Sequence, residues 1–234
     1  MKRLVPLGLA IAIIVTALAV GSPKQAQAQG AGFISSVINR MERNRQSLKS
    51  LRAKVDMVKY NVQTQDEDKY VGVVLYVPAA GRNANVRLDW QSPQHETLTV
   101  KDGEYTLFRP RLNMAYVGAT AKMKGGGKAS GALAFLNMSR SDLQTRFEPL
   151  QYLGEETLWG GVNTSHLKLI PKGGASYQYA EVWVDGSGMP VQTKVVERNG
   201  DSTSIRLTNM EKNTGISPDA FSLKLDSSVK IVKG

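Results

Sequence analysis

The residues best suited to acid–base or metal chemistry are two histidines, His95 and His166, and two carboxylate groups, Asp66-Glu67-Asp68 and Glu155-Glu156. The histidines lie far apart in the chain, and neither belongs to a spaced ligand motif. Adjacent carboxylates on a strand point to opposite faces, and a three-residue acidic run reads as a turn. A G-x-S-x-G elbow is missing, so esterase chemistry of that type has no nucleophile. The stretch Lys122 to Lys128 is glycine-rich, but a phosphate loop would need Gly where Lys122 stands and Ser or Thr where Ala129 stands. Three consecutive glycines, Gly125 to Gly127, resist every regular element and read as a flexible loop. Cysteine is absent, which removes disulfides, thiolate metal sites, a Cys nucleophile and a cysteine-borne lipid anchor. The sequence therefore assigns no catalytic residue, no metal ligand and no cofactor, and a non-enzyme is expected.

The elements that hold these residues begin after a leader. Met1-Lys2-Arg3 is a short basic start, Leu4 to Gly21 is nearly unbroken apolar sequence, and Ala26-Gln27-Ala28 supplies small residues two apart. These are the parts of a secretory signal peptide, so residues 1–28 are expected to be removed and 29–234 to form a single working domain. The rival reading, an uncleaved anchor, rests on the same run, which could almost span a bilayer. The 234 residues carry a net charge of +10, and loss of Lys2, Arg3 and Lys24 lowers it by three. An exported basic chain rarely meets nucleic acid, so anionic headgroups are the negative surface open to it; the charge alone favours a solvated, slightly basic surface, and transient contact with a membrane surface is a separate expectation.

From Phe33 the apolar residues recur at Ile34, Val37, Ile38, Met41, Leu48 and Leu51, one stripe of an amphipathic helix. After Leu51 the period changes to two. Val71, Val73, Leu75 and Val77 alternate with Gly72, Val74 and Tyr76, while Val86, Leu88 and Trp90 alternate with Arg87 and Asp89. Leu98 and Val100 lead into Asp102-Gly103, a hairpin signal, and Tyr105 to Arg109 returns. Further strands are predicted at 152–156, 164–170, 177–184, 191–197 and 204–209, with a last one over 221–225 after a helical turn at Ser217 to Ala220. Ser141-Asp142 opens a short helix to Phe147. Strands at hairpin spacing without crossover helices predict one mainly antiparallel sheet.

One clear helix and the apolar cluster Leu133, Phe135, Leu136 and Met138 are little cover for about ten strands. The sheet must close on itself or curve, unclosed, around an apolar and partly empty hollow with helices as a lid. The second arrangement makes a lipid site. Met57, Met114, Met123 and Met138 suit its wall, since unbranched thioethers adapt to irregular ligands.

The order of these signals resembles the periplasmic outer-membrane lipoprotein carrier proteins, the LolA family. The resemblance runs through Ser47 to Leu51, Val86-Arg87-Leu88-Asp89-Trp90-Gln91-Ser92-Pro93, Leu98 to Gly103, Leu107-Phe108-Arg109-Pro110, Leu167 to Lys172, Asp185 to Pro190 and Phe221-Ser222-Leu223. It implies an unclosed half-barrel sheet under an N-terminal helix and a lid helix. It also implies a hollow that shields acyl chains of lipoproteins on their way from an inner-membrane ABC transporter to an outer-membrane acceptor. Such a chain is a chaperone in protein transport and outer-membrane biogenesis. Wall residues are then Val73, Leu75, Val86, Leu88, Trp90, Leu98 and Val100, lid residues Leu133, Phe135, Leu136 and Met138, with Arg87 and Asp89 outward. Family members carry an Arg-Pro pair after the second strand. Here the place reads Val77-Pro78, and Arg82 or Arg87 is left to substitute. The alternatives are a lipid- or lipoprotein-sensing regulator on the same fold, a carrier of another envelope lipid, and an envelope hydrolase using Glu155, Glu156 or His166.

Overall fold

A computed structural model describes residues 23–79, 84–120 and 133–234, with side chains omitted for 23–31 and 134. The leader before Pro23, Arg82, the triple glycine and Met123 lie outside the described residues.

Helix α1 spans Pro23–Ser47. It begins ten residues before the stripe that announced it, because Gln and Ala in the added turns are good helix formers without an apolar pattern. Then come β1 (Leu51–Tyr60), β2 (Glu67–Pro78), β3 (Ala84–Ser92), β4 (Glu96–Lys101), β5 (Glu104–Arg109) and β6 (Met114–Ala119). A 3-10 turn over Ala134–Asn137 and helix α2 (Arg140–Arg146) follow. The second half holds β7 (Gln151–Leu158), β8 (Val162–Leu169), β9 (Tyr177–Asp185), β10 (Pro190–Glu197), β11 (Ser202–Lys212), a 3-10 turn over Pro218–Phe221 and β12 (Lys230–Lys233).

All strands join one sheet in the order β12-β6-β5-β4-β3-β2-β1-β11-β10-β9-β8-β7, whose ends do not meet. Pairing is antiparallel except for β12, which runs parallel to β6. The expected last strand over 221–225 is thus displaced to 230–233. Phe221 is instead spent as a buried plug at the end of its 3-10 turn. Asp102 and Gly103 take the positive φ values, 51° and 82°, that a two-residue hairpin between β4 and β5 needs.

Register decides which residues face inward. The inner face carries Leu51, Ala53, Val55 and Met57 of β1, and across from them Tyr76, Val74 and Gly72 of β2. Leu88 lies opposite Val74, Leu98 opposite Leu88, and Val100 opposite Val86. In the second half Leu167 faces Val182, and Val182 faces Thr193. Helix α1 buries Val37, Ile38 and Met41 against Leu167, Leu169, Ala180, Val182 and Val184. Each fully buried side chain of this size stabilises by roughly 1.5–3 kcal/mol, so α1 is held by tertiary contacts. At Gly188, with φ of 87°, a Cβ would stand 2.2 Å from the Arg40 carbonyl oxygen. The β9–β10 turn therefore touches the α1 backbone directly, which only glycine permits.

Candidate functional site

The inner face, covered by α1 and the segment from Leu133 to Phe147, is the candidate lipid-binding surface. The expected wall residues Val86, Leu88, Trp90, Leu98 and Val100 all stand on it, with Leu88, Trp90 and Leu98 buried and the two valines half-buried. Val73 and Leu75 do not. They lie opposite Asp89 and Arg87 in the register and face outward, so Val74 and Tyr76 take their place on the wall. Both faces of β2 are apolar in sequence, and alternation alone selects neither. The pairing of Val74 with Leu88 and Ala53 selects the inner one.

The lid residues divide between two neighbourhoods. Leu133 and Leu136 join the cluster of Leu88, Trp90, Leu98, Ile205 and Leu207. Phe135 and Met138 join α1 and the β8–β9 end, where the Phe135 and Phe147 rings lie 6.4 Å apart. Met57 is buried on the inner wall and Met114 is half-buried in β6. Beneath the lid leucines the described residues leave little of the partly empty hollow expected from the sequence. Between Leu133 and Leu136 on one side and Val191, Thr193, Ile205 and Leu207 on the other, the remaining space is ≈ 10 Å³. That is about the room of one water molecule. The lid's own leucines supply the cover that helices were too few to provide.

The lid is fastened by polar groups that sequence reasoning missed. Ser139 caps α2 through a reciprocal pair: its Oγ accepts from Asp142 N at 3.1 Å, and Asp142 accepts from Ser139 N at 3.1 Å. Glu42 of α1 accepts from the backbone N–H of Arg140 at 3.0 Å, from Arg45 Nη2 at 2.6 Å and from Gln46 Nε2 at 2.8 Å. Arg140 Nη1 in turn donates to Asn39 Oδ1 at 2.7 Å. The Arg45 guanidinium foremost, and then the Arg140 N–H, hold the Glu42 carboxyl down at about 2. Arg87, a candidate for the family's lid arginine, works elsewhere: it pairs with Asp89 at 2.8 Å and donates to the Ala220 carbonyl on the outer face. Arg87 and Asp89 thus face outward as expected.

Of the residues with catalytic potential, Glu156 and His166 meet, with His166 Nδ1 3.3 Å from Glu156 Oε2, while Glu155 turns to the other face. Glu155 accepts from Ser165 Oγ at 3.1 Å, whereas Glu156 accepts from Trp183 Nε1 at 2.7 Å on the opposite side of the strand. His166 is stacked on Trp183 with ring centroids 4.0 Å apart, between Glu156 and Glu181. Ser165, its chain neighbour, points to the other face and gives it no nucleophile. Among the described residues no group of three or more acidic, His or Cys side chains could hold a metal.

On the surface, Trp159 is 87% exposed. It sits in the β7–β8 turn, where Gly161 N donates to the Leu158 carbonyl at 3.0 Å and Gly160 and Gly161 take φ of 87° and 77°. Arg206 Nη2 donates to the Trp159 carbonyl from the neighbouring outer face. No described helix is long and apolar enough to cross a membrane.

No protein-family model and no curated protein matches the chain. Solved structures do. An uncharacterized conserved protein from Thermus thermophilus matches over 86% of this chain and 99% of its own at 12% identity, with a TM-score of 0.55. MucB matches over 87% of this chain and 66% of its own at 14% identity, with a TM-score of 0.56. A LolA superfamily protein from Nitrosomonas europaea matches more loosely, over 81% and 97% at 15% identity and a TM-score of 0.42. At such identities the likeness defines the fold. That fold is an unclosed, mainly antiparallel sheet under an N-terminal helix and a short second helix, the architecture that the sequence resemblance implied.

Proposed function

We propose that this protein is a non-enzymatic periplasmic carrier, exported by a cleaved leader, that shields the acyl chains of lipoproteins between the inner and outer membranes. The observation that carries the reading is the seating of Leu133 and Leu136 on an apolar sheet face, with ≈ 10 Å³ left between them and Val191, Thr193, Ile205 and Leu207. A lid that covers its site with two leucines is replaceable: an acyl chain displacing them meets the same apolar wall. Each buried methylene is worth roughly 0.8 kcal/mol, so the cargo does not leave a bilayer without such a wall. The lid's fastening by hydrogen bonds to α1, rather than by a covalent staple, leaves it free to open.

In this reading the cargo is taken from an inner-membrane ABC transporter complex and passed to an outer-membrane acceptor. Trp159 is the residue placed for the transient surface contact, since an indole favours the headgroup boundary. Cleavage near Ala28 would shorten α1 from its N-terminal end and keep the stripe from Phe33 onward.

Gentle extraction followed by native mass spectrometry tests the reading. An acylated protein or lipid bound at one per chain is the expected result. A chain that is consistently empty and takes up no apolar dye sinks it.

A further inference from the structure

The apolar cluster beneath Leu48, Leu133 and Leu136 contains a polar atom with nothing to bind. Tyr76 is 2% exposed, and its hydroxyl has no hydrogen-bond partner among the described residues. Its neighbours across the sheet are Leu51 on β1 and Val86 on β3, which offer only apolar side chains. The Arg45 guanidinium acts on it electrostatically, but Arg45 Nε and Nη2 are both given to Glu42. Burial pushes the phenol well above its ordinary range, so it stays a protonated donor. An unmade buried bond costs more than a made one returns, and phenylalanine would fill the same place without that cost.

Tyr76 stands near the end of β2, beside the first residue of β1, in the row closest to the last turn of α1. Val74 and then Gly72 continue the inner face from it toward Met57 and Trp90. A chain lying along that line would place its head beside the Tyr76 hydroxyl.

We propose that Tyr76 Oη is the polar anchor of the cargo site, donating a hydrogen bond to the ester or amide carbonyl of an acyl chain. This rests on the carrier reading and narrows its ligand class to carbonyl-bearing acyl lipids, as against plain hydrocarbon chains. The carbonyl oxygen supplies the acceptor that the closed protein lacks, and the phenol rejects a chain without one by remaining unpaired.

The test compares the full chain and Tyr76→Phe against dioleoylglycerol and its dialkyl ether counterpart, which has the same hydrocarbon and no carbonyl. Titration of the natural sequence is expected to favour the ester by about tenfold, and Tyr76→Phe to bind both lipids equally, at the natural protein's affinity for the ether. Ligand-free Tyr76→Phe is expected to melt no lower than the natural sequence. An ester preference that survives in Tyr76→Phe overturns the assignment and leaves the carrier reading standing. A lower melting temperature for ligand-free Tyr76→Phe does the same, since the hydroxyl would then have a partner in the closed protein. Failure of the natural sequence to bind either lipid overturns both.

Discussion

Glu42 of α1 accepts the backbone N–H of Arg140, the first residue of α2, at 3.0 Å. One carboxylate thus joins the long helix to the lid and satisfies a donor that a helix N-terminus otherwise leaves open. Together with the bond from Arg140 Nη1 to Asn39 Oδ1, this contact ties the lid to α1.

Glu42→Ala is expected to loosen the lid without unfolding the sheet. Proteolysis within 133–147 should accelerate, and an apolar dye should bind more strongly, while the circular dichroism of the strands stays unchanged. Equal protection of the lid in both proteins would show that α2 is held by packing alone.

The same carboxyl makes the lid acid-sensitive. Its ordinary value of 4.5 is lowered to about 2 in the fold, so its stabilisation is complete above about 4.5 and declines as pH falls toward 2. Dye binding should therefore rise over that interval in the natural protein. In Glu42→Gln the part of that rise due to Glu42 should be missing.

The two faces of β2 give a direct check on the wall. Val74→Asp places a charge among Leu88, Ala53 and Val55 and is expected to cost more than about 3 kcal/mol, read by urea unfolding. Val73→Asp faces outward, opposite Asp89, and should cost about 1 kcal/mol or less. Similar losses at both positions would contradict the register.

Gly188→Ala would set a Cβ against the Arg40 carbonyl at a φ of 87°. A loss of at least about 2 kcal/mol is expected, with α1 displaced from the β9–β10 turn. Tryptophan emission or hydrogen exchange of α1 amides would register it.

Trp159 is expected to contribute under about 0.5 kcal/mol to stability, because its ring touches mostly solvent. Trp90 and Trp183 are buried, so the acrylamide-quenchable emission should belong to Trp159 and disappear in Trp159→Phe. Vesicles of anionic lipid should shift that emission to the blue; an unmoved spectrum argues against surface contact through this turn.

The sequence made the one-sided strands readable. Val86, Leu88 and Trp90 separate cleanly from Arg87 and Asp89, so the alternation alone orients β3 and its partner β4. It does not orient β2, because valines and leucine on one side and Val74 with Tyr76 on the other carry equal apolar weight. The lid cluster was visible as four apolar residues in a short span, but its fastening was not. Glu42 is one of several charged residues on α1, and its partner is a backbone N–H, which no side-chain pattern announces. Tyr76 reads in the sequence as an ordinary strand aromatic; its burial and unpartnered hydroxyl appear only in the fold.

A sheet that does not close keeps two rims, and each rim could recruit a strand from another copy. At one rim β6 is capped by the four residues of β12, two of them lysines, while Gly234 N donates to the Val117 carbonyl. At the other, β7 is broken by an irregularity at Gly154 and carries adjacent glutamates. The tail after Asn213 is thus a selvedge that keeps the cloth from fraying into its neighbours. Removing residues 229–234 should leave a monomer at low concentration and edge-to-edge oligomers as concentration rises.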